Sequence, residues 1–197
     1  MGRQKVDRVV SISGLVMAVV IAAAGALLLW GGSFAHNTVT EELTTQKITF
    51  AADSAELPAE LVSYAGVAVV DGPTAQAYSD LVAAHMQGIG GGKTYSEVSG
   101  EWIAGGMKDP ELAQARTTLF MGESIRGMLL NAYAFWTIGT VAIIAAWVAF
   151  AAALVLLALA LLGFKHAKNA SAEVCLGGSR WSPIAGSLAF DRLSQPC

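Results

Sequence analysis

The chain has 197 residues, 54% of them hydrophobic and only 14% charged, against roughly a quarter charged in an ordinary soluble domain, which argues against a water-soluble globule. Its 12 basic and 15 acidic residues leave a formal charge of -3, and no basic run is long enough to neutralise a nucleic-acid backbone; nucleic-acid partners are set aside. The two cysteines, Cys175 and Cys197, lack the spacing of a zinc site or a redox dithiol.

Residues Val9 to Trp30 carry no charge. At about 1.5 Å per residue these 22 positions rise roughly 33 Å, enough for a hydrocarbon core. A second uncharged stretch runs from Gly127 to Phe164, longer than one perpendicular span needs. Backbone amides in hydrocarbon must be bonded within their own segment, and no period-two alternation is present, so both stretches are expected to be helical. The resulting division is a short N-terminus (1–8), a first transmembrane helix (9–31), a central segment (32–132), a second transmembrane helix (133–164) and a tail without fold (165–197). The expected class is an all-α membrane protein: a two-helix hairpin with a small, mostly helical extracytoplasmic domain.

Charge sets the expected direction. Arg3, Lys5 and Arg8 precede the first span and Lys165 and Lys168 follow the second, whereas Gly32 to Asn131 holds twelve acids against five bases, a net -7. Lys and Arg near span ends favour the cytoplasm, so both termini are expected inside and the central segment outside the plasma membrane. Trp30, Phe34, Tyr133, Phe135 and Trp136 sit where an aromatic belt at the outer interface is expected. A rival reading treats the first run as a signal peptide cleaved after Ser33-Phe34-Ala35, although the run exceeds the usual apolar length. Cys175 and Cys197 then lie on the reducing side as free thiols, with tail lipidation as an alternative.

Within the central segment, Thr38-Val39-Thr40-Glu41 fits a capping box and predicts a short helix to about Lys47. Ile48 to Val70 reads as loop with one short element, broken by Pro58 and Gly66. Asp71-Gly72-Pro73 predicts a helix over Thr74 to Ile89. A second capping box, Thr94 to Glu97, starts another, and Asp109-Pro110-Glu111 opens a helix through Phe120, with a bend at Gly122 before the second span. The expected core draws on Leu43, Ile48, Phe50, Leu61, Val69, Leu81, Val82, Val98, Trp102, Leu112, Leu119 and Phe120. After Lys168, Ile184, Leu188, Phe190 and Leu193 offer at most a short docking turn.

Chemistry-bearing motifs are sparse. Gln87 to Thr94 resembles a phosphate-binding loop in its glycines and Lys93-Thr94, but Gln87 replaces the first glycine and a helix, not a strand, precedes it; a flexible connection is the expected reading. His36, His85 and His166 are the three histidines, and the topology leaves only His36 and His85 for an outer site with Glu41, Glu42, Asp80 or Glu97. No spacing demands a metal, and no nucleophile elbow or triad stands out. Catalytic, cofactor-binding and metal residues are therefore all expected to be absent.

The spans contain no ionisable group, which argues against ion relay or transport. Small residues recur every four positions, Gly14, Ala18, Ala22 and Ala26 on the first and Ala145, Ala149 and Ala153 on the second, a pattern that permits close helix packing, within the chain or with another subunit. Trp147 lies about 16 Å beyond Trp136 along a helix, where it touches lipid tails or forms a ridge for a partner.

Four segments, Thr38 to Leu43 with Gln46 to Phe50, Gly72 to Tyr78, Gly92 to Glu97, and Phe120 to Trp136 with its Gly122-Glu123-Ser124-Ile125-Arg126-Gly127-Met128 run, resemble small two-span actinobacterial membrane proteins that automated naming often calls aromatic ring-opening dioxygenase. The resemblance covers about Thr38 to Gly139 and implies membrane location without an established activity. No residue set in this chain supports ring cleavage. The expected function is non-catalytic: an accessory or interaction subunit of a larger membrane or envelope assembly, a respiratory one being a placement suggested by the resemblance, with lipids and a membrane protein or a second copy as partners. The rival is an outer ligand- or metal-binding domain or enzyme using His36 or His85.

Overall fold

The computed structural model describes the backbone of residues 3–177 and the side chains of residues 8–165. It is an all-α structure in which two long apolar helices pack together and a small helical region lies between them in sequence. Helix α1 spans Arg3–Gln46, α2 Gly72–Ile89, α3 Tyr95–Ala104 and α4 Pro110–Gly177. Residues 8–46 and 110–165 are long and apolar enough to cross a membrane. Cys197 and the expected docking turn at Ile184 to Leu193 lie outside the described residues, as does the side chain of Cys175. Helix α4 continues to Gly177. The described chain divides into two compact units, one of 1–26 with 146 onward, the other 27–145.

In the first unit large side chains point outward and small ones inward. Val9, Val16, Val19, Trp147, Val148 and Leu154 are exposed, while Ser11, Ala18, Ala146, Ala153 and Ala160 are buried. This inverts the soluble pattern and suits lipid, where close backbone approach, not removal of apolar surface from water, holds helices together. The pairings are antiparallel. A Cβ on Gly14 would meet that of Ala160 at 3.6 Å, and one on Gly25 would stand 3.3 Å from the Ala146 carbonyl, Ala149 Cβ and the Phe150 ring.

The second unit carries the head. Helix α1 ends where Lys47 takes a left-handed conformation, φ 53°, the geometry that terminates many helices. The expected start at Thr38 is not used: α1 runs straight through it. Val39 and Leu43 are buried there in one core with Phe50, Leu61, Val69, Ala75, Leu81 and Leu129, so tertiary packing overrides the local capping signal. Residues 48–69 fold back on themselves. Phe50 N–H donates to Val67 O at 3.0 Å and Val69 N–H to Ile48 O at 2.9 Å, around an isolated antiparallel bridge between Thr49 and Ala68. Two 3-10 turns, Ser54–Glu56 and Ala59–Tyr64, fill the excursion. Phe50 stacks with Tyr64 at 5.2 Å and meets Tyr78 edge-on at 5.1 Å, contacts that add to simple area burial.

The remaining starts follow their sequence signals. Asp71 Oδ1 accepts from Thr74 N–H at 2.9 Å while Asp71 N–H donates to Thr74 Oγ1 at 3.0 Å, with Pro73 in the first turn of α2. Asp109 Oδ1 accepts from the amides of Glu111 and Leu112 at 2.9 and 3.2 Å, opening α4. Gly122 produces no break. It is buried beside Met86 of α2, whose thioether occupies the space a Cβ would need, so the glycine serves close approach. Of the expected core, Phe120 departs: it is exposed and lies 5.7 Å from the Tyr95 ring.

At α3, Thr94 N–H donates to Glu97 Oε2 at 2.7 Å and Thr94 Oγ1 donates to the same oxygen at 2.8 Å. These bonds favour the ionised form and hold the Glu97 carboxyl below its ordinary value of 4.5. A depressed carboxylate contributes stability that is complete above the unfolded value and lost as pH falls through the lower folded one. Amide exchange in the first turn of α3 is therefore expected to quicken as pH drops below about 4.5, after correction for the intrinsic pH dependence of exchange, and Glu97→Gln should flatten that added response. Equal corrected profiles for wild type and variant would refute the box as the cause.

Candidate functional site

The second unit contains two features that sequence reading could not place. The first is a knot where α1 crosses α4. His36 and Trp136 rings lie parallel, centroids 3.9 Å apart with 1° between planes. His36 Nε2 is 3.0 Å from both the Trp136 carbonyl and Thr140 Oγ1. Because a carbonyl only accepts, the Nε2 tautomer that donates satisfies it. Thr140 Oγ1 also donates to that carbonyl at 3.0 Å. Glycines make the crossing close: a Cβ on Gly32 would fall 2.6 Å from Gly139 O and 2.7 Å from Ile143 Cγ1, and one on Gly139 2.7 Å from His36 Cδ2. Gly72, at the start of α2, lies against the indole of Trp136 and has no room for a side chain. Histidine, tryptophan and three glycines thus join α1, α4 and the head.

The second feature is an apolar groove of about 770 Å³ between the same helices. Its α1 wall runs from Gly31 and Phe34 through Thr38 to Glu42 and Gln46, and its α4 wall from Ile125 and Met128 to Phe135 and Ile138. Spacings of three and four residues put each set on one helical face. Val39, Leu43 and Leu129 belong both to the groove lining and to the head core, so the head packs against one side of the helix pair, and among the described residues nothing covers this one. Phe34, Ile125, Met128, Phe135 and Ile138 are all exposed, Met128 to 72%. Contiguous apolar surface of this extent marks an interaction site more often than a solvated face. Thr38, Glu42, Gln46 and Asn131 supply the polar atoms at its rim, enough to orient an occupant but not to attack one.

The expected packing residues are distributed as follows. Ala18 and Ala153 are buried, Gly14, Ala22, Ala145 and Ala149 half-buried, and Ala26 exposed. Buried positions on α1 recur every seven residues: Ser11, Ala18 and Gly25 in the first unit, Gly32 and Val39 in the second. On α4 the matching series is Gly139 in the second unit and Ala146, Ala153 and Ala160 in the first, while Leu43 on α1 and Leu119, Gly122 and Leu129 on α4 are buried outside these series. Four residues overshoot a turn by about 40°, whereas seven drift by only ~20°, so a stripe of period four winds off a contact line that a period of seven follows. Of the expected belt, Trp30, Phe34 and Phe135 are exposed and Tyr133 half-buried, but Trp136 turns into the histidine knot. Trp30 and Phe34 stack at 5.9 Å.

His85 is exposed on α2 and does not approach His36. Among the described residues no three His, Cys, Asp or Glu converge as a metal site. The glycine-rich connection is a turn between helices: Gly91 and Gly92 have φ of 59° and 81°, and Lys93 pairs with Glu101 at 2.7 Å. No family model, curated protein or solved structure matches this chain.

Proposed function

We propose that the protein is a non-catalytic, two-span subunit of the plasma membrane. It holds a small acidic helical head on the extracytoplasmic face, with both termini inside, and receives an apolar helix of a partner membrane protein in the groove. The observation that carries this reading is where the groove lies. Its membrane end coincides with the aromatic positions Phe34 and Phe135, yet it extends along α4 to Ile125, about 16 Å beyond Trp136 at helical rise. Charged Glu123 and Arg126, paired at 3.4 Å, flank that outer end and belong outside hydrocarbon. Lipid tails can cover the lower part of the groove but not the upper. A helix that continues past the bilayer, as α1 and α4 do, covers both, and anchor residues at spacings of three and four match the helix-in-groove mode. The resemblance to small two-span membrane proteins is consistent with this reading.

Two measurements test it. In a cysteine-free background, Asp80→Cys should react with a membrane-impermeant maleimide in intact cells, and a cysteine at position 5 only after permeabilisation; the opposite pattern would overturn the orientation. Native electrophoresis of mild-detergent extracts at natural expression should show the chain in a complex containing a second polypeptide. Migration as a lone monomer would overturn the function.

A further inference from the structure

Arg116 of α4 occupies an unusual setting. Its Nε donates to Ser99 Oγ at 3.0 Å and one Nη2 hydrogen to Tyr95 OH at 3.3 Å. Its guanidinium carbon lies 4.9 Å from the Trp102 ring centroid and 5.7 Å from that of Tyr95. Among the described residues no carboxylate stands within ion-pair distance, although the central segment holds twelve. All of its fixed partners are neutral, so the charge is undiminished, and two of the five N–H donors of a guanidinium are used. Among the described residues Nη1 has no hydrogen-bond partner and is not one of the buried polar atoms lacking one, so it reaches solvent. Arg116 also borders an open cavity of about 190 Å³, lined with it by Tyr95, Thr117 and Phe120.

We propose that this cavity is a carboxylate-binding site, with Arg116 as the recognising group and Tyr95 and Phe120 as the apolar walls. The volume is below the usual range for whole small-molecule ligands and suits a group the size of an acidic side chain or a small free acid. A planar fork with spare donors matches a carboxylate in bidentate geometry. The central segment's net charge of -7 disfavours a doubly charged phosphate more than a singly charged carboxylate, and a single guanidinium would not offset the second charge. Hydrogen bonds from Ser99 and Arg116 hold the Tyr95 phenol below its ordinary value of 10.0, so an anion beside Arg116 must push that phenol back upward.

The test uses the full-length protein in mild detergent, with Tyr95 followed as the phenolate absorbance missing from Tyr95→Phe. Sodium acetate, compared with chloride at equal ionic strength, should raise the Tyr95 titration and alter Trp102 fluorescence; inorganic phosphate should do neither at equal concentration. Propionate against N-acetyl-glutamate amide separates the two sources: stronger binding of the capped residue assigns the site to a protein side chain, stronger binding of propionate to a free acid. Arg116→Lys, which keeps charge but loses the fork, should weaken binding roughly tenfold. Thr117→Leu, which fills the cavity and leaves Arg116 in place, should abolish it. An unmoved Tyr95 titration in acetate, a response to phosphate equal to that to acetate, or Thr117→Leu binding like wild type, would overturn the site.

Discussion

Gly32→Ala is expected to be among the most damaging single-methyl additions in the chain, and Gly14→Ala nearly silent. Both glycines lie on α1 and face α4, and composition does not distinguish them. Geometry does. A Cβ at Gly14 meets another Cβ at an ordinary 3.6 Å, whereas at Gly32 it falls 2.6 Å from a backbone carbonyl and 3.2 Å from the Ile143 amide. Backbone cannot rotate aside as a side chain does, so the helices must separate, and the His36 stack and its two 3.0 Å contacts separate with them. Overpacking of this kind costs about 3 kcal/mol, and Gly14→Ala should stay within ~0.5 kcal/mol. Thermal unfolding in mild detergent, followed by near-ultraviolet dichroism of Trp136, measures both. Gly32→Ala with Gly139→Ala should be less than additive, because once the crossing has opened the second methyl meets no obstacle. Equal melting temperatures for Gly32→Ala and Gly14→Ala would refute the close crossing.

The same crossing shows what sequence could and could not reveal. Helix starts that depend on one residue and its neighbour two to three positions on, Asp71, Thr94 and Asp109, were legible because their bonds are local. Thr38 carries the same local signal and fails, because Val39 and Leu43, one and five positions after it, are held in a core assembled from Phe50, Val69 and Leu81, and that core exists only after the fold. The spans were legible from absent charge, but their contact line was not: alanine and glycine are frequent enough in both helices to draw lines at four or seven residues, and only the partner helix selects one. Trp136 reads as a belt residue because its position along the chain is right, while its direction depends on Gly72 leaving room for its indole and on Gly139 admitting the His36 ring that stacks on it. His36 carried no motif at all. Its partners are 100 and 104 residues away, a separation at which neither periodicity nor spacing holds information.

Met128→Asp should dissociate the proposed complex without unfolding the subunit. In the isolated chain this side chain is 72% exposed on the groove wall, so a carboxylate there remains hydrated, and the substitution should shift stability by no more than about 0.5 kcal/mol. Covered by a partner helix, the same carboxylate would be desolvated with Ile125, Leu129 and Phe135 as groove neighbours and no cation among them. An unpaired buried charge costs several kcal/mol, and about 1.4 kcal/mol is a factor of ten in affinity, so association should weaken by at least roughly a hundredfold. Met128→Leu keeps volume and apolarity and should retain binding. Asp80→Lys, on the exposed face of α2, changes charge by the opposite sign away from the groove and controls for electrostatic effects. Native electrophoresis of the three variants, with thermal unfolding of each, separates the cases. A complex that survives Met128→Asp but is lost in Asp80→Lys would move the interface from the groove to the head, because burial of a charge penalises only the surface that the partner covers.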